Sequence, residues 1–535
     1  MGTAAVPHSR RAVQNMLTLA GGHLGSTFIL LATTPYFLHA LGSSRYGLMA
    51  LFSALIQYAA IVDFGLGPSL VKYIAEDHAK DRCAAIRQMM TFAILFYLVI
   101  GSIVFASIAL LGHRIIALIK MPSDLRPEAF PLLLGFAGYF FVAAIGLTLY
   151  SLLSGIGRLD LSSNIKATGL IFYVLSALFA VHLGFGMQGI LASSYIMLGL
   201  TIPLTYYFAR RNFGNLYCSP TKIEKNAIRR VFVTGGWIQI SSMMALIYSS
   251  TSGVIIGVVV NVAAVAIYDL ASRLSRSIRA FAYYSTAAML PAMSSLEARR
   301  GSQAIHRALI DGSRYVSAVS FCVCGFVIAS APIIFSAWLG SRAPQRALLD
   351  EVLIVLCLSA VIDNYVNVST TVLRAIGAPK LETLYTVATA IVSICIAISL
   401  APRFGVIGVV LGPLVGSTVG STLFMIAFSR TRNLPLMSNF GKPLLKIIAV
   451  TTVSASLTYV VVQPLLQNGP PSRPLAFVEI IIVGSLYLAI FTIMLGITKY
   501  LGDHDLAFVK RILPKRLALA IDPRLIRFLF VRTIP

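Results

Sequence analysis

The sequence predicts an all-α integral membrane protein of about fourteen transmembrane helices, built as two parallel-repeat six-helix lobes with a central cavity plus two extra C-terminal helices. Three observations carry this: an apolar composition, apolar runs long enough to span a bilayer, and a repeat within the chain. Of 535 residues, 57% are hydrophobic and 12% are charged, whereas charge makes up about a quarter of an ordinary soluble domain. The solvent these residues are selected for is lipid.

Apolar runs lie near 14–40, 46–71, 88–112, 130–154, 165–183, 187–209, 232–258, 262–290, 315–338, 350–373, 382–401, 405–428, 444–465 and 475–498. Each suffices to cross a hydrocarbon core of about 30 Å. The first follows Arg10 and Arg11 as a secretory signal would, but it continues to Phe37. That exceeds the roughly 7–15 apolar residues of a signal, so it is read as a retained span.

A formal net charge of +24 suggests nucleic acid in a soluble protein. Here the basic residues sit in short segments between apolar runs, where topology accounts for them and no nucleic-acid partner is expected. With both termini cytoplasmic, 32 of the 43 Lys and Arg fall inside, 8 outside and 3 within the eighth run. Removing the eighth run as a span inverts everything after it, leaving 18 inside and 25 outside. The run 262–290, charged as it is, is therefore expected to cross.

The six cysteines, Cys83, Cys218, Cys322, Cys324, Cys357 and Cys395, lack the spacing of a zinc site or a disulfide framework. They read as small apolar filler. No metal or cofactor is expected.

The segment from Ile156, IGRLDLSSNIKATGLIFYVLSALFAVHLGFGMQG, matches that from Ile376, IGAPKLETLYTVATAIVSICIAISLAPRFGVIG. Ile156-Gly157 falls on Ile376-Gly377, Phe185-Gly186 on Phe404-Gly405, and Gly189 on Gly408. Shared apolarity alone is weak, but glycines at fixed offsets in connections mark backbone geometry. Six spans separate the copies, so the halves share one orientation. The expected organisation is an N-lobe at 1–212, a C-lobe at 213–431, two helices at 432–500 and a basic tail at 501–535.

The stretch from Pro35 to Glu76 contains Leu41-Gly42, Tyr46-Gly47-Leu48, Asp63-Phe64-Gly65-Leu66-Gly67 and Lys72-Tyr73. It resembles the opening of bacterial polysaccharide flippases of the O-antigen and exopolysaccharide (Wzx) type, in the multidrug, oligosaccharidyl-lipid and polysaccharide exporter superfamily. The resemblance implies two bundles opening alternately to either side of the inner membrane, with an undecaprenyl-diphosphate-linked oligosaccharide as cargo. Other polysaccharide-assembly proteins and membrane lipids are the partners it implies. Multidrug exporters commonly carry an acidic residue in the first span, and residues 14–40 hold none. Peptidoglycan-precursor flippases share fourteen spans but carry an arginine-bearing N-terminal pattern not visible here. A membrane-embedded sugar transferase or polymerase needs a large outer loop, and the longest, 113–129, is too short to build an active site. No enzymatic activity is expected.

Asp269, Arg273, Arg276 and Arg279 in the eighth run fall at about 0°, 40°, 340° and 280° on a helix of 100° per residue. A central Arg costs about 2.5–3.5 kcal/mol to insert, so three on one arc should face a wet cavity. A guanidinium pairs bidentately with phosphate oxygens, which makes Arg276, assisted by Arg273 and Arg279, the candidate diphosphate holder. The competing reading pairs Asp269 with Arg273 one turn away and lets Arg279 snorkel. Asp363, Asn364 and Asn367 share a face of the tenth run, for interhelical hydrogen bonding or as a sugar-facing surface with Tyr365. Asp63 is a structural mark or a cavity carboxylate. His23, among Gly21, Gly22 and Gly25, is tight helix packing or a coupling imidazole. In the tail, Lys510, Arg511, Lys515, Arg516, Arg524, Arg527 and Arg532 alternate with apolar clusters, as in a segment lying on an anionic leaflet.

Overall fold

Inside a bilayer the backbone has no partner but itself, so apolar runs of this length must form helices. The structure, a computed structural model, describes residues 6–58, 66–214, 236–340, 344–375, 380–432, 435–467, 473–502 and 530–531. Its helices are α1 (Val6–Gln57), α2 (Leu66–His78), α3 (Cys83–Leu118), α4 (Arg126–Gly155), α5 (Leu159–His182), α6 (Gly186–Phe213), α7 (Gly236–Val259), α8 (Val262–Leu339), α9 (Arg346–Ala375), α10 (Lys380–Thr431), α11 (Lys442–Gln467) and α12 (Arg473–Ile497). A two-residue parallel pairing, Leu501–Gly502 with Phe530–Val531, is the extended structure among the described residues.

Ten helical stretches among the described residues are long and apolar enough to cross a membrane. Large apolar side chains stay exposed on them, including Phe172, Phe179, Ile481 and Leu110, the last 80% exposed. In water such a surface would be an association or aggregation liability; here it is the face offered to lipid. The chain is a multi-pass membrane protein.

Two expected hairpins close on a single glycine. Helix α1 breaks at Gly42 (φ 77°, ψ 164°), which separates the first two expected spans. Helix α10 breaks at Gly405 (φ 57°, ψ −131°), between the expected eleventh and twelfth. Gly186, which the repeat places on Gly405, has φ 55°, so the matched positions share a left-handed backbone that favours glycine. Gly189 and Gly408 also match: a Cβ on the first would crowd Ala180, and on the second the Leu400 backbone. Gly377 lies outside the described residues.

Residues 291–314, between the expected eighth and ninth spans, are helical as well: α8 runs from Val262 to Leu339 without interruption. The stretch Leu296-Glu297-Ala298-Arg299-Arg300 and Ala304 to Leu309 is rich in strong helix formers, and that intrinsic preference continues the helix past the apolar boundary. Residues 262–290 are helical but are not among the ten apolar stretches.

By packing, the chain forms two compact units: Met1–Leu270 with Thr386–Gly416, and Ala271–Tyr385 with Ser417–Pro535. In the first, Leu66, Leu70 and Ile74 of α2 bury against Ile86 and Met89 of α3 and Leu149, Leu152 and Leu153 of α4. Gly408, Gly412 and Gly416 of α10, four residues apart, sit against Leu400, Ser393 and Thr389 of its first half; small residues at this spacing let two membrane helices approach closely. In the second unit, Val366, Val368 and Val372 of α9 pack with Phe424, Phe428 and Phe440. Cys324 and Cys357 are buried there as free thiols.

Candidate functional site

The arginines of α8 sit in the second unit, where α9 faces them. Residues one helical turn apart stack on one face, and two such pairs meet. Ser275 donates its hydroxyl to the Leu356 carbonyl at 3.1 Å. Arg279 places Nη1 2.8 Å from Asp363 Oδ2 and donates through Nη2 to Ser359 Oγ at 3.1 Å. Ser359 Oγ is 3.2 Å from Ser417 Oγ, and Tyr385 donates to Asp363 Oδ1 at 3.4 Å. The side chains of Arg279 and Asp363 are 27% and 19% exposed, so the pair is reachable. Arg279 is thus held by a carboxylate rather than snorkelling to an interface. Arg276 is exposed and Arg273 is half-buried.

Asp269, a few turns earlier on α8, lies in the first unit. It accepts a hydrogen bond from Tyr46 Oη at 2.8 Å. The neighbouring Gly47 lies so near Val262 that a Cβ would run into its carbonyl, and Leu48 is fully buried. The Tyr46-Gly47-Leu48 motif is therefore the crossing of α1 with the start of α8. Nearby, Lys120 donates Nζ to the Val259 carbonyl at 2.6 Å, and Arg45 pairs with Glu128 at 2.9 Å.

The remaining candidates separate. Asn364 is 3% exposed and donates to Ser320 Oγ at 3.4 Å, an interhelical bond to α8. Tyr365 donates its hydroxyl to the Phe440 carbonyl at 2.8 Å. The Asn367 carbonyl accepts from Thr370 and Thr371 within its own helix. His23 lies on α1 with its side chain outside the described residues, and Asp63 and residues 503–529 lie outside them altogether. No group of three or more His, Cys, Asp or Glu placed to hold a metal occurs among the described residues. Ser359, Ser417 and Tyr385 were not singled out from sequence. Ser359 stands one turn before Asp363 and could have been found by that spacing; Tyr385 and Ser417 carry no local signal.

The model of the family described as "Polysaccharide biosynthesis protein" matches residues 12–297, more than half the chain, taking in the α1 motif and all three arginines. The chain belongs to the polysaccharide biosynthesis protein family. Among curated relatives of this family member is a probable flippase, AglR, of Haloferax volcanii, 24% identical over 472 residues, covering 87% of this chain and 92% of the relative. An uncharacterized membrane protein of Methanocaldococcus jannaschii is 20% identical over 377 residues, covering 68% and 72%. Among solved structures, the lipid II flippase MurJ in an inward closed conformation aligns with TM-score 0.67 at 14% identity, over 88% of this chain and 97% of that one. An inward-facing multidrug transporter of the MATE family aligns with TM-score 0.59 at 14% identity, over 76% and 96%. At these identities the structures show the fold alone. The family member thus shares the fold of these membrane transporters.

Proposed function

We propose that this family member is a flippase that carries an undecaprenyl-diphosphate-linked oligosaccharide from the cytoplasmic to the outer leaflet of the inner membrane by alternating access. Both termini lie in the cytoplasm. The observation that carries the reading is the arginine cluster of α8 within a chain of the polysaccharide biosynthesis family. Three guanidiniums on one stretch of a membrane helix concentrate positive charge where it is rare and functional, and a diphosphate is the anion that a lipid-linked sugar brings. Arg276, exposed, with Arg273 and Arg279 on either side, is the holder; AglR, alignable over most of both chains, supports the flippase activity. The six-plus-six arrangement, with lobes at 1–212 and 213–431, is supported by the matched conformations of Gly186 and Gly405.

The test is reconstitution into vesicles with a fluorescent polyprenyl-diphosphate-linked oligosaccharide, followed by quenching of the label left in the outer leaflet. Protein-dependent loss of the protected fraction is expected, and lipid II assayed in parallel should move more slowly. Transport of lipid II alone would move the chain to the peptidoglycan-precursor reading. Export of a cationic drug without lipid movement would move it to the multidrug reading.

A further inference from the structure

The Arg279–Asp363 pair differs from a fixed structural ion pair in what surrounds it. A permanent buried pair is destabilising to open, because each partner is left without a substitute. Here both ends already hold one. Asp363 has Tyr385 Oη on its other oxygen at 3.4 Å, and the Tyr385 ring is steadied against Phe424 with centroids 5.2 Å apart. Ser359, the second acceptor for Arg279, has Ser417 at 3.2 Å. Withdrawing Arg279 therefore leaves neither the carboxylate nor the hydroxyl unbonded. Asp363 meets the guanidinium at Nη1, part of a fork that a phosphate would engage through two parallel N–H bonds. Neither side chain is fully buried, so an entering anion can reach the contact.

We infer that Asp363 is a resident counter-anion of Arg279, holding the guanidinium until the diphosphate of the substrate displaces it and the carboxylate passes to Tyr385. The inference rests on reading the α8 arginines as the diphosphate site. Its consequence is a specificity device. The pair screens Arg279 from weak monoanions, since only a ligand that binds both arms of the fork outcompetes a carboxylate already in place. It also returns the site to its starting state when the ligand leaves. If the pair is closed about nine-tenths of the time, the apparent affinity for phosphate is reduced about tenfold, because only the open fraction competes.

The experiment is calorimetric titration of inorganic pyrophosphate into the full-length protein in a neutral detergent, with thermal unfolding recorded for each variant. Asp363→Asn is expected to bind pyrophosphate about tenfold more tightly than the natural protein, Arg279→Ala to lose most binding, and Arg279→Lys to fall between. A fixed structural pair predicts the opposite sign for Asp363→Asn. Unchanged or weaker binding by a folded Asp363→Asn, with binding still lost in Arg279→Ala, overturns the counter-anion role and leaves the diphosphate site standing. Absence of pyrophosphate binding in both the natural protein and Asp363→Asn overturns the site as well. Repeating the titration with phosphatidylglycerol separates the occupants: abolition of the gain shows that a lipid headgroup takes the fork, which overturns the assignment to substrate. Should Asp363→Asn fail to fold, Tyr385→Phe decides. Removing the receiver of the released carboxylate should weaken pyrophosphate binding about threefold, the size of an average interhelical hydrogen bond in a membrane bundle; unaltered binding overturns the exchange.

Discussion

Two of the contacts that helix α8 makes through charged side chains, at Asp269 in the first unit and at Arg279 in the second, are built from different materials. At Asp269 one partner is a neutral hydroxyl, Tyr46, next to a glycine that lets α1 lie against the Val262 backbone. The crossing is closed by shape. At Arg279 the partner is a carboxylate, with hydroxyls standing by on both sides. That contact is closed by charge and has replacements in place. One helix thus combines an anchor that shape makes costly to separate with a contact that a charged ligand can open.

The sharpest way to break this comparison is to widen the first contact. Gly47→Leu drives a side chain into the Val262 carbonyl, where neither backbone can yield without parting the helices. A loss of about 3 kcal/mol, the upper part of the usual range for overpacking, is expected. It would be read as a lowered thermal transition and poor recovery of monodisperse protein, and a Gly47→Leu protein of native stability would remove the anchor from the account.

The second contact should answer in transport rather than in stability. Arg276→Ala is expected to leave the protein inserted and abundant while abolishing lipid movement, and Arg276→Lys to restore part of it because an ammonium lacks the planar fork. Full flipping by Arg276→Ala in vesicles would sink the diphosphate assignment. Equal loss of stability in Arg276→Ala and Gly47→Leu would erase the distinction between the two regions.

A smaller effect tests the charge carried through the site. An anion moving outward is favoured by an interior-negative potential, by about 2.3 kcal/mol per charge at 100 mV. Collapsing the potential in oriented vesicles should therefore slow transport, and an unchanged rate that depends instead on a proton or sodium gradient would refute electrophoretic drive. The smallest expected change is that of Tyr46→Phe. It removes one hydrogen bond but keeps the shape of the crossing, so a loss of about 1 kcal/mol in stability with native transport is expected. A transport defect there would show that Asp269 belongs to the working site.

Much of the architecture was legible because its causes are local. Apolar run length reports a span wherever lipid is the solvent, and the glycines of the repeat announced turns whose backbone only glycine adopts readily, at Gly186 and Gly405. The continuity of α8 was missed because hydropathy marks where lipid ends and does not mark where a helix ends; residues 291–314 are polar and helical together. Asn364 read equally as an interhelical bond or a sugar contact because a one-dimensional pattern gives its face but not what meets it. Ser320 does.

The sequence by itself determined that this chain crosses a membrane repeatedly, that a helix with three arginines is among its parts, and that Tyr46-Gly47-Leu48 matters. Each follows from composition or spacing within one stretch of chain. Only the tertiary structure decided who meets whom: Tyr46 with Asp269, and Arg279 with Asp363 and with Ser359, 80 residues away. The physical reason is that the free energy of a charge in a membrane is set by the groups within a few ångströms of it, and those groups come from other helices, brought close by packing that no single stretch of sequence encodes.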